Sequence, residues 1–311
     1  GSPAVPPVLS LKRIRMSAEQ ILQYIFAGIT VGSIYAFVAI GYNIIYSTTG
    51  IINFAQGEFV MLGGMISYSL SRIMPLLPAV LLAVIITALI GGMIENVFIR
   101  RMKKSSVMGM IVITVGLSIL LREAALYIWD EQIRALPFFT GSEISSVNIL
   151  GARISPQVLW VLAVTAVIVG LLFFFLKFTL SGQAMRACSE NPGAARLCGI
   201  RTDHMVNMSF MISAGIGALG GCVVSPLTQT HYAMGTELAI KGFTVAILGG
   251  LGNPIAAVAA GILLGLIESF SISILPMAFK DAISIVILLV ILIVKPSGIF
   301  GSSQASALKD F

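Results

Sequence analysis

The chain has 311 residues, of which 57% are hydrophobic and only 10% are charged, against about 25% in an ordinary soluble domain. A mean hydropathy of +1.00 leaves too few polar residues to cover a soluble enzyme, and it equally excludes a disordered chain, a coiled coil and a collagen-like fibre. The net charge of +6 includes Lys12, Arg13 and Arg15, so sixteen basic residues face thirteen acidic ones in the rest, and no basic stripe with interleaved aromatics points to nucleic acid.

What remains is an all-α, polytopic membrane helical bundle. Residues 1–15, with a leading Gly-Ser and Pro-rich filler, read as an appended leader. The first apolar run is 21–46, with no cleavable signal peptide before it. A softer stretch, 47–58 (STTGIINFAQGE), separates it from a second run over 59–70 that Pro75 and Pro78 punctuate. The third run, 79–99, stops at Arg100, Arg101, Lys103 and Lys104. The fourth covers 107–129 and leads into a mixed-charge loop, 130–156, holding Asp130, Glu131, Arg134, Glu143 and Arg153. Trp129 and Trp160 border that loop as interfacial anchors.

The fifth run, 158–178, precedes a polar segment, 179–204, with Arg186, Arg196 and Arg201. The sixth covers 205–226, and a polar connection, 227–241, follows. The seventh, 242–251, has only ten residues, about 15 Å of helix, and is too short for a ~30 Å core unless its neighbours extend it. The eighth, 255–274, follows Gly252-Asn253-Pro254, and the last, 282–294, closes at Lys295-Pro296. The expectation is nine membrane segments, with eight to ten allowed. Residues 16–301 are expected to form one transmembrane domain and 302–311 a C-terminal tail.

Basic clusters are retained in the cytoplasm, so 100–104 faces inside. Counting outward from that cluster puts 179–204 inside too, as its own charge demands, and residue 16 outside. The 31 glycines cluster within the runs and suit close helix packing. The stretches 49–58 and 248–254 fit best as interrupted segments lining a pathway, since irregular backbone at membrane depth needs protein or water around it.

Ionisable groups inside the runs are few. They are Glu58, Glu95, Arg122, Glu123 and Glu268, for each of which structural pairing is expected ahead of a transport role; Glu95 reads as a helix-end group, Glu58 is the better pathway candidate, and Arg122 and Glu123 are each expected to find a partner on another helix. Arg122 and Glu123, being adjacent, point about 100° apart and are not expected to pair. Asn53, Gln56 and Glu58, with Gly249, Gly250, Gly252 and Asn253, are the candidate pathway or gate residues. His204 and His231 read as loop or helix-end residues. Cys188, Cys198 and Cys222 form no metal-ligand spacing, and a disulfide is not expected on a cytoplasmic segment. The sequence holds no catalytic cluster and no P-loop, so the chain is not read as an enzyme, and ATP has no site in it.

The informative segment is 180–202, LSGQAMRACSENPGAARLCGIRT, a polar island in an apolar chain. Asn191-Pro192 marks a helix start, and Gly199 suits the position just past its end. The pattern from Glu190 through Ala194-Ala195 to Gly199 resembles the degenerate EAA-type coupling loop of ABC importer permeases. The surrounding residues, with 32–46 (GSIYAFVAIGYNIIY), 50–58 (GIINFAQGE), 243–254 (FTVAILGGLGNP) and 295–301 (KPSGIFG), are similar to the LIV-type branched-chain amino-acid permeases of that class. The likeness spans roughly 20–301. It departs from the strict motif in having Asn-Pro after Glu190.

The resemblance implies a bacterial inner-membrane permease subunit working with a second, related permease chain. It also implies two cytoplasmic ATPase subunits that bind ATP and Mg, and a periplasmic solute-binding protein. On this basis Glu190, Asn191, Pro192, Ala194, Ala195 and Gly199, flanked by Arg186 and Arg201, are the expected ATPase-coupling residues. Related permeases also serve urea, short amides and aromatic or dicarboxylic acids, and an ion-coupled secondary carrier is the reading from a different class.

Overall fold

The computed structural model describes residues 17–102, 107–142, 144–149, 151–273, 276, 279–295 and 298–299; Lys12, Arg13, Arg15, Lys103, Lys104, Glu143, Pro296 and the tail 302–311 lie outside them. Eleven α-helices account for most of the described chain: α1 Ala18–Thr49, α2 Gln56–Ser71, α3 Leu76–Ile94, α4 Val107–Trp129, α5 Pro156–Phe178, α6 Leu180–Glu190, α7 Pro192–Leu197, α8 Thr202–Thr228, α9 Met234–Gly249, α10 Pro254–Ser271 and α11 Lys280–Val294. Local chemistry starts several of them. Ser17 and Gln20 close a reciprocal capping box on α1. Ser155 caps α5 ahead of Pro156, and Asn253 caps α10 ahead of Pro254.

Among the described residues, six helical stretches are long and apolar enough to cross a bilayer: Ala18–Thr49, Leu76–Met102, Met108–Trp129, Pro156–Phe178, Thr202–Thr228 and Pro254–Ser271. The other three expected segments are short. α2 and α9 have 16 residues and α11 has 15, so each is about 24 Å or less, below the ~30 Å hydrocarbon thickness. The ten-residue run at 242–251 is extended upstream, as it needed to be. Helix α9 begins at Met234 and absorbs most of the expected polar connection, including Glu237 and Lys241. Lys241 is tolerated there because Glu268 on α10 lies against its ammonium at 2.6 Å. The break at 50–55 is real: Gly50, at φ 69°, ends α1 in the left-handed region and α2 begins only at Gln56. One feature departs from an all-α chain. Val147–Ile149 and Ala152–Ile154 pair as a small antiparallel hairpin within the 130–156 loop.

Small residues carry the central packing. Gly28 and Gly32 of α1 lie so close to Gly265 and Gly261 of α10 that a Cβ on any of the four would collide with the facing helix. Between lipid-solvated helices such approach replaces the missing hydrophobic drive. The contacts also repeat. α2 packs on α8 as α9 packs on α1; α3 packs on α8 as α10 packs on α1; α2 meets α3 as α9 meets α10. The start of α1 lies at the 130–156 loop, where Glu19 approaches Gly151, whereas it is the segment after the end of α8 that bridges to that loop, through Thr230 and Arg134. The triplets α1–α3 and α8–α10 are therefore inverted copies of one arrangement, an architecture that places half-length helices around a central site.

Candidate functional site

The polar island folds as two short helices. Thr179 caps α6 by accepting from the Gly182 N–H, and Gly182, Met185 and Cys188 bury one side of that helix at a three-residue spacing. Asn191 ends α6 and caps α7, its side chain accepting from the Ala194 N–H at 3.0 Å. Gly199, at φ 80°, terminates α7 with Ile200 N–H donating to Ala195 C=O and Gly199 N–H to Arg196 C=O, a Schellman closure. Six of the eight expected coupling residues lie along an exposed edge of this knuckle: Arg186, Glu190, Asn191, Pro192, Ala194 and Gly199. Arg201 is also exposed, beyond the closure. Ala195 differs. It is 4% exposed and packs into the chain's own core, so it anchors the knuckle and offers no surface. Glu190 also belongs to the end of α6 and not to the start of α7. The apex is Leu197, which is 91% exposed. Burial pushes the Cys188 thiol above its ordinary range, with Arg196 pulling against that shift.

The knuckle borders the turn between α9 and α10. Arg186, Ser189 and Glu190 share one cavity of about 680 Å³ with Ser47, Lys177, Gly252 and Asn253. Gly250 and Gly252 hold left-handed φ values of 99° and 92°, and Asn253 caps α10. Asn43 of α1 ties the turn down, its Oδ1 accepting from the Gly252 N–H at 2.7 Å and the Asn253 N–H at 3.2 Å. Gly249 packs against Ala257, so 249–253 is a tight hairpin between helices, not a break within one. A second cavity brings Arg100 together with Arg196, Arg201 and His204. The two basic clusters thus share one end of the bundle.

The remaining candidates are deep inside. Asn53, Gln56 and Glu58 are fully buried. Gln56 links α2 to α8 by accepting from Ser213 Oγ at 2.6 Å, a structural role. Asn53 accepts from the Ala55 N–H and turns the chain into α2, while its Nδ2 has no hydrogen-bond partner. Glu58 Oε1 accepts from Ser118 of α4 at 2.8 Å and from Thr236 of α9 at 3.2 Å. Its carboxylate lies against Gly235 in the first turn of α9. Two helix N-termini therefore face one buried carboxylate, the arrangement that best offsets its desolvation.

Glu95 accepts from Asn207 of α8 at 2.9 Å. Glu268 accepts from Tyr35 at 2.8 Å and from Ser284, and pairs with Lys241 and Lys280. Arg122 and Glu123, expected to part, pair at 3.2 Å. Both are partly exposed on α4, and the long guanidinium stem bends back over the 100° between them.

A family model described as the permease component of branched-chain amino acid transport systems matches residues 24–294. The permease LivH of the high-affinity branched-chain amino acid transport system of Salmonella typhimurium is 32% identical over 298 residues, covering 91% of this chain and 96% of that protein. LivH of Escherichia coli K12 and BraD of Pseudomonas aeruginosa, with the same description, are each 31% identical with the same coverage. No solved structure matches. The chain belongs to the branched-chain amino acid transport permease family.

The candidate residues of this family member form not one pocket but a linked set: an exposed knuckle, a hairpin turn tied to α1, and a buried carboxylate between half-length helices. Two parts of this set escaped sequence reasoning. Leu197, one of two leucines in the polar island with Leu180, drew no role from the sequence, and its exposure is visible only in the structure. The second part is an echo between Phe54-Ala55-Gln56-Gly57 and Tyr232-Ala233-Met234-Gly235. In both, the alanine precedes the helix without a side-chain cap, at φ −76° and −94°, and the two glycines touch. That echo is a local trace of the inverted repeat.

Proposed function

We propose that this chain is the transmembrane permease subunit of an ATP-binding-cassette importer for branched-chain amino acids, crossing a bacterial inner membrane nine times with α2, α9 and α11 as short segments. It pairs with a second permease chain. Two cytoplasmic ATPase subunits bind ATP and Mg, and a periplasmic binding protein delivers the substrate. The observation that carries the reading is the α6–α7 knuckle: a capped, rigid, exposed element with an apolar apex at Leu197, at the end of the bundle that gathers Arg100, Arg196 and Arg201.

The mechanism follows from how the knuckle is seated. Closure of the ATPase dimer displaces α6 and α7 as one body, since Asn191 is a shared cap. Met185, Cys188 and Ala195 pass that displacement into the bundle core. The cavity between α6 and the α9–α10 turn gives room for movement, and the Asn43 tie carries it to α1. The inverted triplets then rock about their shared glycine contacts, a two-state element biased by nucleotide bound elsewhere.

The test is uptake of L-leucine into proteoliposomes holding the chain with its partner permease, ATPases and binding protein. Uptake that needs ATP hydrolysis supports the reading. Uptake under an ion gradient without ATP, or none in a fully assembled complex, refutes it.

A further inference from the structure

A half-open cavity of about 240 Å³ lies between α4, α9 and α11, beside the meeting point of the two half-length helices. Its polar groups are Ser118, Thr236, Arg122 and Thr244, and the rest of its wall is aliphatic and aromatic, with Ile240, Phe243 and Leu288. Ser118 and Thr236 each spend their single hydroxyl proton on Glu58 Oε1. Toward the cavity they then present only lone pairs, with a fully buried carboxylate behind them whose Oε2 has no hydrogen-bond partner. A ligand in contact with these hydroxyls must therefore bring donors. Arg122 supplies the opposite chemistry. Its Nε and one terminal nitrogen lie on Glu123, and the remaining N–H groups of the guanidinium fork stay available to an acceptor. Ser118 and Arg122 stand one turn apart on α4, so the two kinds of partner lie close together, and apart from Thr244 the rest of the wall is apolar.

We propose that this cavity is a substrate subsite for an α-amino acid with an aliphatic side chain: the ammonium donates to Ser118 Oγ and Thr236 Oγ1, the carboxylate accepts from Arg122, and the side chain lies against Ile240, Phe243 and Leu288. The inference rests on the proposed function and narrows it. Urea and simple amides lack both charges, and a dicarboxylic acid has no ammonium for the hydroxyl end. The subsite also assigns the α4–α9–α11 side as the one that lines the pathway. It makes Glu58 a positioning residue that orients the two hydroxyls.

The experiment uses the assembled transporter in proteoliposomes with Cys198→Ser and Ile240→Cys. The rate at which a small methanethiosulfonate modifies the introduced thiol is measured against L-leucine concentration. L-Leucine is expected to slow modification. Adding Ser118→Ala with Thr236→Ala, or Arg122→Gln, should raise the leucine concentration needed by about tenfold, the worth of one or two hydrogen bonds to a charged group. Isoamylamine, which lacks the carboxylate, should be indifferent to Arg122→Gln, and 4-methylpentanoate, which lacks the ammonium, indifferent to the hydroxyl substitutions. A general loss of structure does not produce that crossed pattern. The protection measurement in Ile240→Cys alone needs no polar substitution, so poor folding of the other variants leaves the test intact. Leucine import by the complex without protection of the thiol, or equal protection in all variants, overturns the subsite and leaves the proposed function standing. A complex that imports no leucine overturns both.

Discussion

Replacing Leu197 by Ala separates coupling from folding more cleanly than any other change in the knuckle. The side chain is 91% exposed, so within the chain its loss falls in the ±0.5 kcal/mol range of surface substitutions. If the proposed ATPase docks on this side chain it becomes buried there, and removing three carbons then costs about 2 kcal/mol, or roughly thirtyfold in Kd. ATPase subunits titrated onto the permease pair in nanodiscs should bind about that much more weakly to Leu197→Ala, with an unchanged melting temperature. Ala195 gives the opposite pattern. At 4% exposure, Ala195→Leu overpacks the anchor and costs about 1–3 kcal/mol, which lowers the melting temperature directly. Equal ATPase affinity of Leu197→Ala and the native chain would refute the assignment of the apex as the docking point.

Two further changes probe the fold around the site. Cys198 is exposed whereas Cys188 and Cys222 are buried, so maleimide should modify Cys198 alone in the folded chain. Because burial raises the Cys188 thiol, its thiolate fraction stays low until the pH passes above the ordinary thiol range; mass spectrometry showing Cys188 modified before Cys198 at neutral pH would contradict the packing of α6. Glu268→Gln removes the carboxylate that Lys241 and Lys280 approach at 2.6 and 3.6 Å, and breaking such a buried pair costs about 3–5 kcal/mol. The expected result is a large drop in melting temperature that Lys241→Met partly restores. An unshifted melting curve would mean that the cluster does not hold α9, α10 and α11 together.

How much was legible beforehand differs by element. The 107–129 run became α4 with identical bounds, because continuous apolar sequence and basic stops are local signals. Asn191-Pro192 and Gly199 marked both ends of α7, because capping is chemistry between near neighbours. That the run at 242–251 needed extending was legible, but not that its helix starts at Met234. Glu237 and Lys241 look like loop residues until α10 supplies Glu268, and that partner is 27 positions away from Lys241 in sequence. The pairing of Arg122 with Glu123 was missed because ideal helix geometry treats side chains as rigid spokes.

By itself the sequence determined that this chain is a bundle of membrane helices with a capped polar knuckle, and the resemblance of its motifs pointed to the permease family. These properties depend on hydrophobicity, periodicity and hydrogen bonds within a few residues. Only the tertiary structure decided that Ala195 faces inward and Leu197 outward, that Glu58 is shared by α2, α4 and α9, and that the two triplets are inverted copies. The last two rest on contacts between helices distant in sequence, made where Gly235 lies against Glu58 and where Gly28 and Gly32 meet Gly265 and Gly261. Small residues leave almost no periodic signal, so their partners become visible only when the helices are brought together.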